Sequence, residues 1–452
     1  MPSSVFDSDI YKNLFGDAKM RRIFSDENQI QMQLEVEAGL ARVQARLGII
    51  PQDAADEISA KAKFEHLDYE MFQKGVARVY YPILPLVEGI VAACDDGLGE
   101  YSHWGATTQD IMDSGLSLQL RDALTLIDDE LAAISNILVR LAKKYRDTPL
   151  AGRSHLQQAL PITFGYKAAV WLSGIERHRT RLSEFRSRAT QLQFSGAAGT
   201  LASLGDKGLD VQDALADELG LERPEITWHT MRDNVAETTN FLGLLTGTLA
   251  KIGTDVLMSM QTEVGEIFEP FAPGRGASST MPQKRNPVSS ELLIVAAKAA
   301  RQNVAMMLDG MIQDHERASG PWHVEWLALP QTFILTGGAL SQAREMLDGL
   351  VIDADRMRAN LDITNGMIVS EAVMMGLAPY MGRQVAHDVV YDVCRDAMAQ
   401  DRPLRELLCE LPEITKHLTA EQISDLCDPA GYVGQAGEMV DRMLARVATT
   451  KR

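Results

Sequence analysis

Apolar positions recur along this chain in steps of three and four, most regularly between Asp110 and Tyr145. There Leu124, Ile127, Leu131, Ile134, Leu138, Leu141 and Tyr145 form a heptad seam, the spacing that keeps one helical stripe facing a partner. The pattern predicts a helix over residues 110–145, about 50 Å long at about 1.5 Å per residue, longer than globular helices usually run. Similar patterns predict long helices over residues 161–193, 233–266, 289–311 and about 325–350. In the stretch 233–266, the small residues Gly243, Gly247, Ala250 and Gly253 would let neighbouring helices approach closely. A shorter helix is expected over 27–47, where Ile30, Leu34, Ala38, Leu40, Ala41 and Val43 make the stripe and Gly48 and Pro51 end it. After about Asp353 the patterns shorten, punctuated by Pro403, Pro412 and Pro429. Several long helices with coiled-coil spacing predict an all-α fold built on a bundle. A seam this long needs more partners than one chain supplies.

Composition agrees with helices. Of 452 residues, 46% are hydrophobic but only 6% aromatic, with 21 methionines, which favours helix over sheet. That length predicts two to four domains. The net charge of −18, with no long basic block to offset it, argues against a nucleic-acid partner. An anionic substrate must then be drawn in by a local basic pocket. Cys94, Cys394, Cys409 and Cys427 lie far apart without metal-type spacing, so a reduced, cytoplasmic protein is expected. Met1-Pro2-Ser3-Ser4-Val5-Phe6-Asp7 lacks a basic region followed by an apolar one, and no signal peptide is expected. No run of about 18 apolar residues predicts a membrane span.

The chemistry concentrates in Gly274-Arg275-Gly276-Ala277-Ser278-Ser279-Thr280-Met281-Pro282-Gln283-Lys284-Arg285-Asn286-Pro287. The small residues let the backbone approach a ligand closely. Pro287 is preset for a first helical turn, and Leu292, Leu293, Val295 and Ala296 behind it imply that a helix follows. Loop amides, a helix N-terminus and Lys284 together stabilise negative charge. The segment therefore reads as a clamp for an anion that carries its own hydroxyl nucleophile or base. A flexible linker seldom places Met-Pro, Lys and Asn-Pro in so tight an order.

This loop resembles the signature of the fumarase/aspartase superfamily, Gly-Ser-Ser-x-Met-Pro-x-Lys-x-Asn-Pro. Ser278, Ser279, Met281, Pro282, Lys284, Asn286 and Pro287 match, and Ala277 alone departs, with Gly276 one place earlier. The resemblance implies an all-α fold in three parts: an N-terminal helical domain (1–110), a central bundle of long helices (111–352) carrying the loop 274–287, and a C-terminal helical domain (353–452). It also implies a homotetramer whose active sites draw on segments of three chains, with no nucleic acid, membrane, metal or cofactor involved. Neither Gly-x-Gly-x-x-Gly nor zinc-ligand spacing argues for one.

Three further segments resemble the family's. In Ser102-His103-Trp104-Gly105-Ala106-Thr107-Thr108-Gln109-Asp110, Thr107 and Thr108 match hydroxyls that bind a substrate carboxylate. Thr108 and Asp110 fit helix capping equally well. In Gly152-Arg153-Ser154-His155-Leu156-Gln157, which resembles Gly-Arg-Thr-His-x-Gln, the histidine is paired in many members with a glutamate placed like Glu291. Imidazole near its ordinary pKa suits proton transfer, and a carboxylate partner raises its basicity. In Trp228-His229-Thr230-Met231-Arg232-Asp233, His229 and Arg232 match polar groups near the substrate, although Arg232 and Asp233 could equally pair at a helix start. The implied site is Ser278, His155, Lys284 and Glu291 for catalysis. Thr107, Thr108, Ser154, Gln157, Ser279, Met281, Asn286, His229 and Arg232 hold the substrate.

A proton beside a carboxylate is hard to remove, because two negative charges then share one small group. Lys284, Asn286 and the loop amides are suitable donors for that aci-carboxylate. Ser278 as base needs the same positive surroundings to become an alkoxide. With His155 as acid, the expected reaction is an anti β-elimination, or the reverse addition, on a substituted succinate, giving fumarate or a fumarate-like acid from a small di- or tricarboxylate. The chain is most similar to the branch of 3-carboxy-cis,cis-muconate cycloisomerases and adenylosuccinate lyases. Met20-Arg21-Arg22-Ile23-Phe24-Ser25-Asp26, Gln193 to Leu201, and His315-Glu316-Arg317 leading to Trp322-His323-x-Glu325-Trp326 carry that similarity. The cycloisomerases usually carry Trp at the place of His155, which sets lyase chemistry first and cycloisomerisation second. Adenylosuccinate lyase comes third, since Gly320-Pro321-Trp322-His323-Val324-Glu325-Trp326 offers no cation for a nucleotide phosphate. A catalytically silent helical protein comes last, because Ser278, Lys284 and His155 are all present.

Overall fold

The computed structural model describes residues 4–271 and 274–450; residues 1–3 and 451–452, the outer ends of the expected terminal domains, lie outside it. The all-α expectation holds. Helices carry the fold, and the strands among the described residues are four short ones paired into two-stranded sheets.

Helix α1 (Asp26–Arg46) forms as its stripe predicts. Ser25 caps it by accepting the Asn28 N–H, and Asp26 and Glu27 occupy the first turn, where the helix dipole favours negative charge. Helix α2 (Tyr69–Val79) is capped by Asp68 and ends at Tyr80 in the left-handed conformation. Five long helices follow: α3 (Thr108–Lys144), α4 (Phe164–Ala189), α5 (Asp233–Ser259), α6 (Val288–Asp309) and α7 (Pro321–Asp348). The seam on α3 is core, with Leu124, Ile127, Leu131, Ile134 and Leu138 fully buried.

Two helix ends differ from expectation. The segment before α4 is an antiparallel hairpin, β1 (Pro149–Ser154) with β2 (Gln157–Thr163), in which Pro161 lies opposite Ala151. Proline lacks a ladder donor but is tolerated in a two-stranded edge, so Pro161 lies inside β2 and the helix opens only at Phe164. Helix α5 stops at Ser259 because Gly265 turns left-handed and Glu266 leads into β3 (Ile267–Phe268), which pairs with β4 (Val351–Ile352). Of the small residues on α5, Gly243 does what was expected: a Cβ there would meet Val304 Cγ2 of α6 at 2.7 Å. Gly247 has nothing within 4 Å of that position among the described residues, so no close approach among them explains it.

The chain separates into two compact units to which each long helix contributes. The first holds the chain through Leu131, His178–Ala250 and Leu292–Gln342; the second holds Ala132–Arg177, Lys251–Glu291 and the chain from Ala343. The first unit's core gathers Leu34, Leu40, Leu86, Ile111, Phe194 and Leu215. In the second, Val373, Leu377, Val390, Leu408 and Ile414 form one cluster, and Ala142, Ala168, Ala169 and Val440 another.

One helix bears on the membrane expectation. By length and composition α5 could cross a membrane, with an 18-residue window of mean hydropathy 1.3. Its charges are sparse rather than absent, which is why no uninterrupted apolar run marked it. Phe241, Leu242, Leu245, Leu249, Ile252 and Val256 are buried inside the protein, and 44% of that window is buried in all.

Candidate active site

The first unit centres on Asp110, fully buried near the start of α3. Its Oδ2 accepts the N–H of Thr107 at 3.1 Å and of Gly196 at 2.9 Å; its Oδ1 accepts from Ser195 N at 3.0 Å and lies 2.8 Å from His229 Nε2. The bond back to Thr107 is half of a capping box, with Thr107 at the N-cap and Asp110 at the third helical position, so Thr107 rather than Thr108 is the cap residue. With Nε2–H donated to Asp110, His229 Nδ1 accepts from the Thr227 hydroxyl 3.2 Å away. One carboxylate thereby fixes the helix start, the Ser195-Gly196 turn and the imidazole. The Thr107 and Thr108 hydroxyls are half-buried and make no hydrogen bond among the described residues, which leaves them open to a ligand.

Arg232 is buried beside this network. It binds Asp113 through two nitrogens (2.7 and 3.0 Å) and Glu325 through two (2.8 and 2.5 Å), and lies over the Trp228 ring. The alternative ion pair with Asp233 does not form. One guanidinium between two buried carboxylates leaves one excess negative charge, and burial, opposed by Arg232, pushes the Glu325 carboxyl above its ordinary value. Gln109 connects the two networks, donating to Asp113 and to the His229 carbonyl and accepting from Arg317 at 2.5 Å. Arg317 also donates to the Ala197 carbonyl at 2.7 Å. It is a half-buried cation that the sequence reading used only as a mark of resemblance.

The second unit holds the signature loop and the hairpin. The loop is closed at its base: Asn286 N–H donates to the Gly276 carbonyl at 2.9 Å, and Ala277 bridges Arg285. Gly276 has φ +65°, and a Cβ on it would lie 2.6 Å from the Asn286 oxygen. Ala277 has no positive φ, so alanine fits where the family signature has glycine. Ser278 Oγ accepts the N–H groups of Thr280 (3.2 Å) and Met281 (3.0 Å). Ser279, Met281 and Lys284 are exposed and Asn286 is half-buried. Behind the loop, buried Glu269 accepts from the N–H groups of Ser289 and Ser290 and from the Ser290 hydroxyl, anchoring the α6 N-terminus. Arg275 reaches Glu345 and the Ser289 hydroxyl.

The hairpin turns on His155 (φ +50°) and Leu156 (φ +65°). Two positive φ values are what a two-residue hairpin turn of matching twist requires, but neither residue is glycine, and such strain collects at functional sites. Ser154, His155 and Gln157 are all exposed around that tip. Next to the turn, Arg153 makes a bidentate pair to the fully buried Glu266 (2.8 and 2.7 Å), which also accepts from Asn360. Glu291 is exposed in the first turn of α6 and, among the described residues, makes no ion pair with His155. The predicted residues thus fall into two sets. Thr107, Thr108, His229 and Arg232 are in the first unit; Ser154, His155, Gln157, Ser278, Ser279, Met281, Lys284, Asn286 and Glu291 are in the second.

Comparison with known proteins matches a lyase family model to residues 16–301, and an adenylosuccinate lyase C-terminus model to residues 366–443. The chain is 50% identical to trans-aconitate decarboxylase 1 of Mycosarcoma maydis, covering 96% of this chain and 88% of that protein. It is 47% identical to 3-carboxy-cis,cis-muconate cycloisomerase of Pseudomonas aeruginosa, covering 98% and 97%. Among solved structures, fumarate lyase from Mesorhizobium sp. BNC1 superposes with a TM-score of 0.90 at 51% identity, covering 95% of this chain and 98% of that one.

Proposed function

The chain belongs to the fumarase/aspartase superfamily of lyases, and within it we propose an enzyme that removes and returns a proton beside a carboxylate, without a cofactor, in an anti β-elimination on a substituted succinate. The observation that carries this is the environment of Ser278. Its oxygen accepts two backbone N–H groups within a loop that also holds Lys284. Converging amides favour an oxyanion, so the same arrangement that would bind an anion makes an alkoxide base accessible. Lys284 and Asn286 then stabilise the aci-carboxylate. His155 protonates the departing group from the hairpin tip, with Ser154 and Gln157 beside it. Thr107 and Thr108 take a carboxylate through hydroxyls that have no other partner among the described residues. His229 and Arg232 hold their positions from behind through Asp110, Asp113 and Glu325.

Cycloisomerisation of 3-carboxy-cis,cis-muconate is the second reading. It is favoured by the 47% identical relative of that name and by the cluster in which Tyr81 lies 3.2 Å from His323 and packs with Trp322 and Trp326. Both reactions make or break a bond β to a carboxylate through one carbanion, so one site serves either. The relative named for trans-aconitate adds a third polycarboxylate.

The test is to follow the ultraviolet absorbance of 3-carboxy-cis,cis-muconate, fumarate release from N- and S-substituted succinates, and carbon dioxide release from trans-aconitate, with native protein and Ser278→Ala. Fumarate release by the native protein alone supports the elimination reading. Loss of muconate absorbance alone replaces it with the cycloisomerase. Turnover that survives Ser278→Ala removes Ser278 as base in either case.

A further inference from the structure

The hairpin that carries His155 is held from outside its own ladder. Its register breaks between Ala151 and Arg153, at Gly152, where a Cβ would lie 2.6 Å from the Leu160 carbonyl oxygen. The ladder below that break therefore does not fix the tip. Beyond it, among the described residues, the ladder keeps two pairs, Arg153 with Gln158 and Ser154 with Gln157, before the left-handed His155 and Leu156. A turn with two non-glycine residues at positive φ is strained, and so short a ladder does little to oppose that strain.

Asn360 makes up the deficit. It ends helix α8 (Ala354–Asn360) and is 1% exposed. Its amide donates to Glu266 Oε1 and to the Val264 carbonyl, each at 2.8 Å. Glu266 holds Arg153 of β1, and the Asn360 main-chain carbonyl accepts from Gln158 Nε2 of β2 at 2.7 Å. The cross-strand pair Arg153–Gln158 is thus tied on both strands to one buried carboxylate and amide. The bidentate guanidinium pair adds directional precision, and the carbonyl at the end of α8 gains a partner that its own helix does not supply. Arg356 fastens α8 in turn to the Val264 and Glu263 carbonyls at 3.0 and 2.9 Å.

We propose that Asn360 and Gln158 are positioning residues for His155, holding the two strands in the register that sets its imidazole against the departing group. Their role rests on His155 acting as the acid of the proposed elimination. In that step Ser278 takes the proton from C3 of the substituted succinate and the C2–C3 double bond forms. The leaving atom takes the electrons of its bond to C2, together with the proton of His155. An amine needs that proton to depart, whereas an aryl thiolate leaves without it. A displaced His155 therefore penalises amine release selectively, while a general loosening of the fold slows both releases alike.

Fumarate release from 2-(phenylamino)succinate and 2-(phenylthio)succinate, which differ little in size, is compared in native protein, Gln158→Met, Asn360→Leu and His155→Ala. Hydrogen exchange at the amides of residues 154–157 is followed beside it. Gln158→Met removes only the bond to Asn360, because Gln158 Oε1 has no hydrogen-bond partner among the described residues, and it serves alone if Asn360→Leu does not fold. Both variants should speed exchange at the tip and lower the amine-to-thiol ratio of kcat about tenfold, on the scale of misplacing an acid. His155→Ala should lower that ratio further. Unchanged exchange, or faster exchange with an unchanged ratio, overturns the proposal and leaves the elimination reading standing. A ratio unchanged in His155→Ala, or no fumarate from either compound with native protein, overturns that reading and the proposal with it.

Discussion

Ser278 and Gly276 make different demands on the same loop. Ser278 contributes a hydroxyl, and Ser278→Ala should abolish turnover while leaving thermal stability unchanged, because the side chain is only half-buried. Gly276 contributes backbone shape. A methyl there meets the Asn286 oxygen at 2.6 Å and forces a left-handed φ on alanine. Gly276→Ala should therefore open the loop base and lower kcat by about tenfold or more, on the scale of misplacing a catalytic group; unchanged kcat would mean that loop closure does not set the site. His103 is a residue of another kind. Burial pulls its imidazole down, but the Glu37 carboxylate 2.6 Å away outweighs this and holds its pKa above the ordinary value. A histidine raised in the folded state adds stability that is complete below its unfolded pKa of about 6.5 and is lost as pH rises through the folded value. The melting-temperature gap between native protein and His103→Gln should thus shrink as pH rises above about 6.5. A constant gap would assign the bond no titrating role.

At the scale of elements, what could be read from sequence was periodicity, and what could not was long-range pairing. The seam of Leu124, Ile127, Leu131, Ile134 and Leu138 announced α3 because each residue repeats a contact at fixed helical spacing. The hairpin gave no such signal. Pro149, Gly152 and Pro161 are poor strand residues, and β1 and β2 exist through Arg153 held on Glu266, 113 residues away in sequence. The signature loop was legible as local chemistry. Asp110, Asp113, Glu325 and Arg317 were not, because their meaning lies in partners that other helices supply. Arg232 illustrates the difference: its neighbour Asp233 looked like a partner, while the actual partners are on α3 and α7. Its removal is the test of that network. Arg232→Met leaves two buried carboxylates facing each other and should cost about 3–5 kcal/mol in urea unfolding. A loss under about 1 kcal/mol would mean that water reaches the carboxylates and that the triad does not brace the helices.

At the scale of the molecule, the long helices carry apolar residues on faces that nothing among the described residues covers. Leu244 of α5 is 57% exposed, Val295 of α6 45% and Leu327 of α7 61%. Isolated exposed apolar residues are ordinary, but these occur on three long helices, and Gly247 on α5 leaves open space with no neighbour among the described residues. The expected homotetramer gives those faces a use, and it gives exposed His155 and Glu291 a partner that the single chain does not. If each active site takes Ser278 and His155 from different chains, two dead variants must rescue one another. Ser278→Ala and His155→Ala, each inactive alone, should regain activity after being unfolded and refolded as a mixture. In an equal mixture of randomly assembled tetramers, roughly a quarter of the sites would receive both native residues, so recovered kcat should approach that fraction. Leu244→Glu on both variants should abolish the rescue by preventing assembly, visible as a smaller species in sedimentation. A mixture that assembles normally yet stays inactive would place Ser278 and His155 of one site on the same chain.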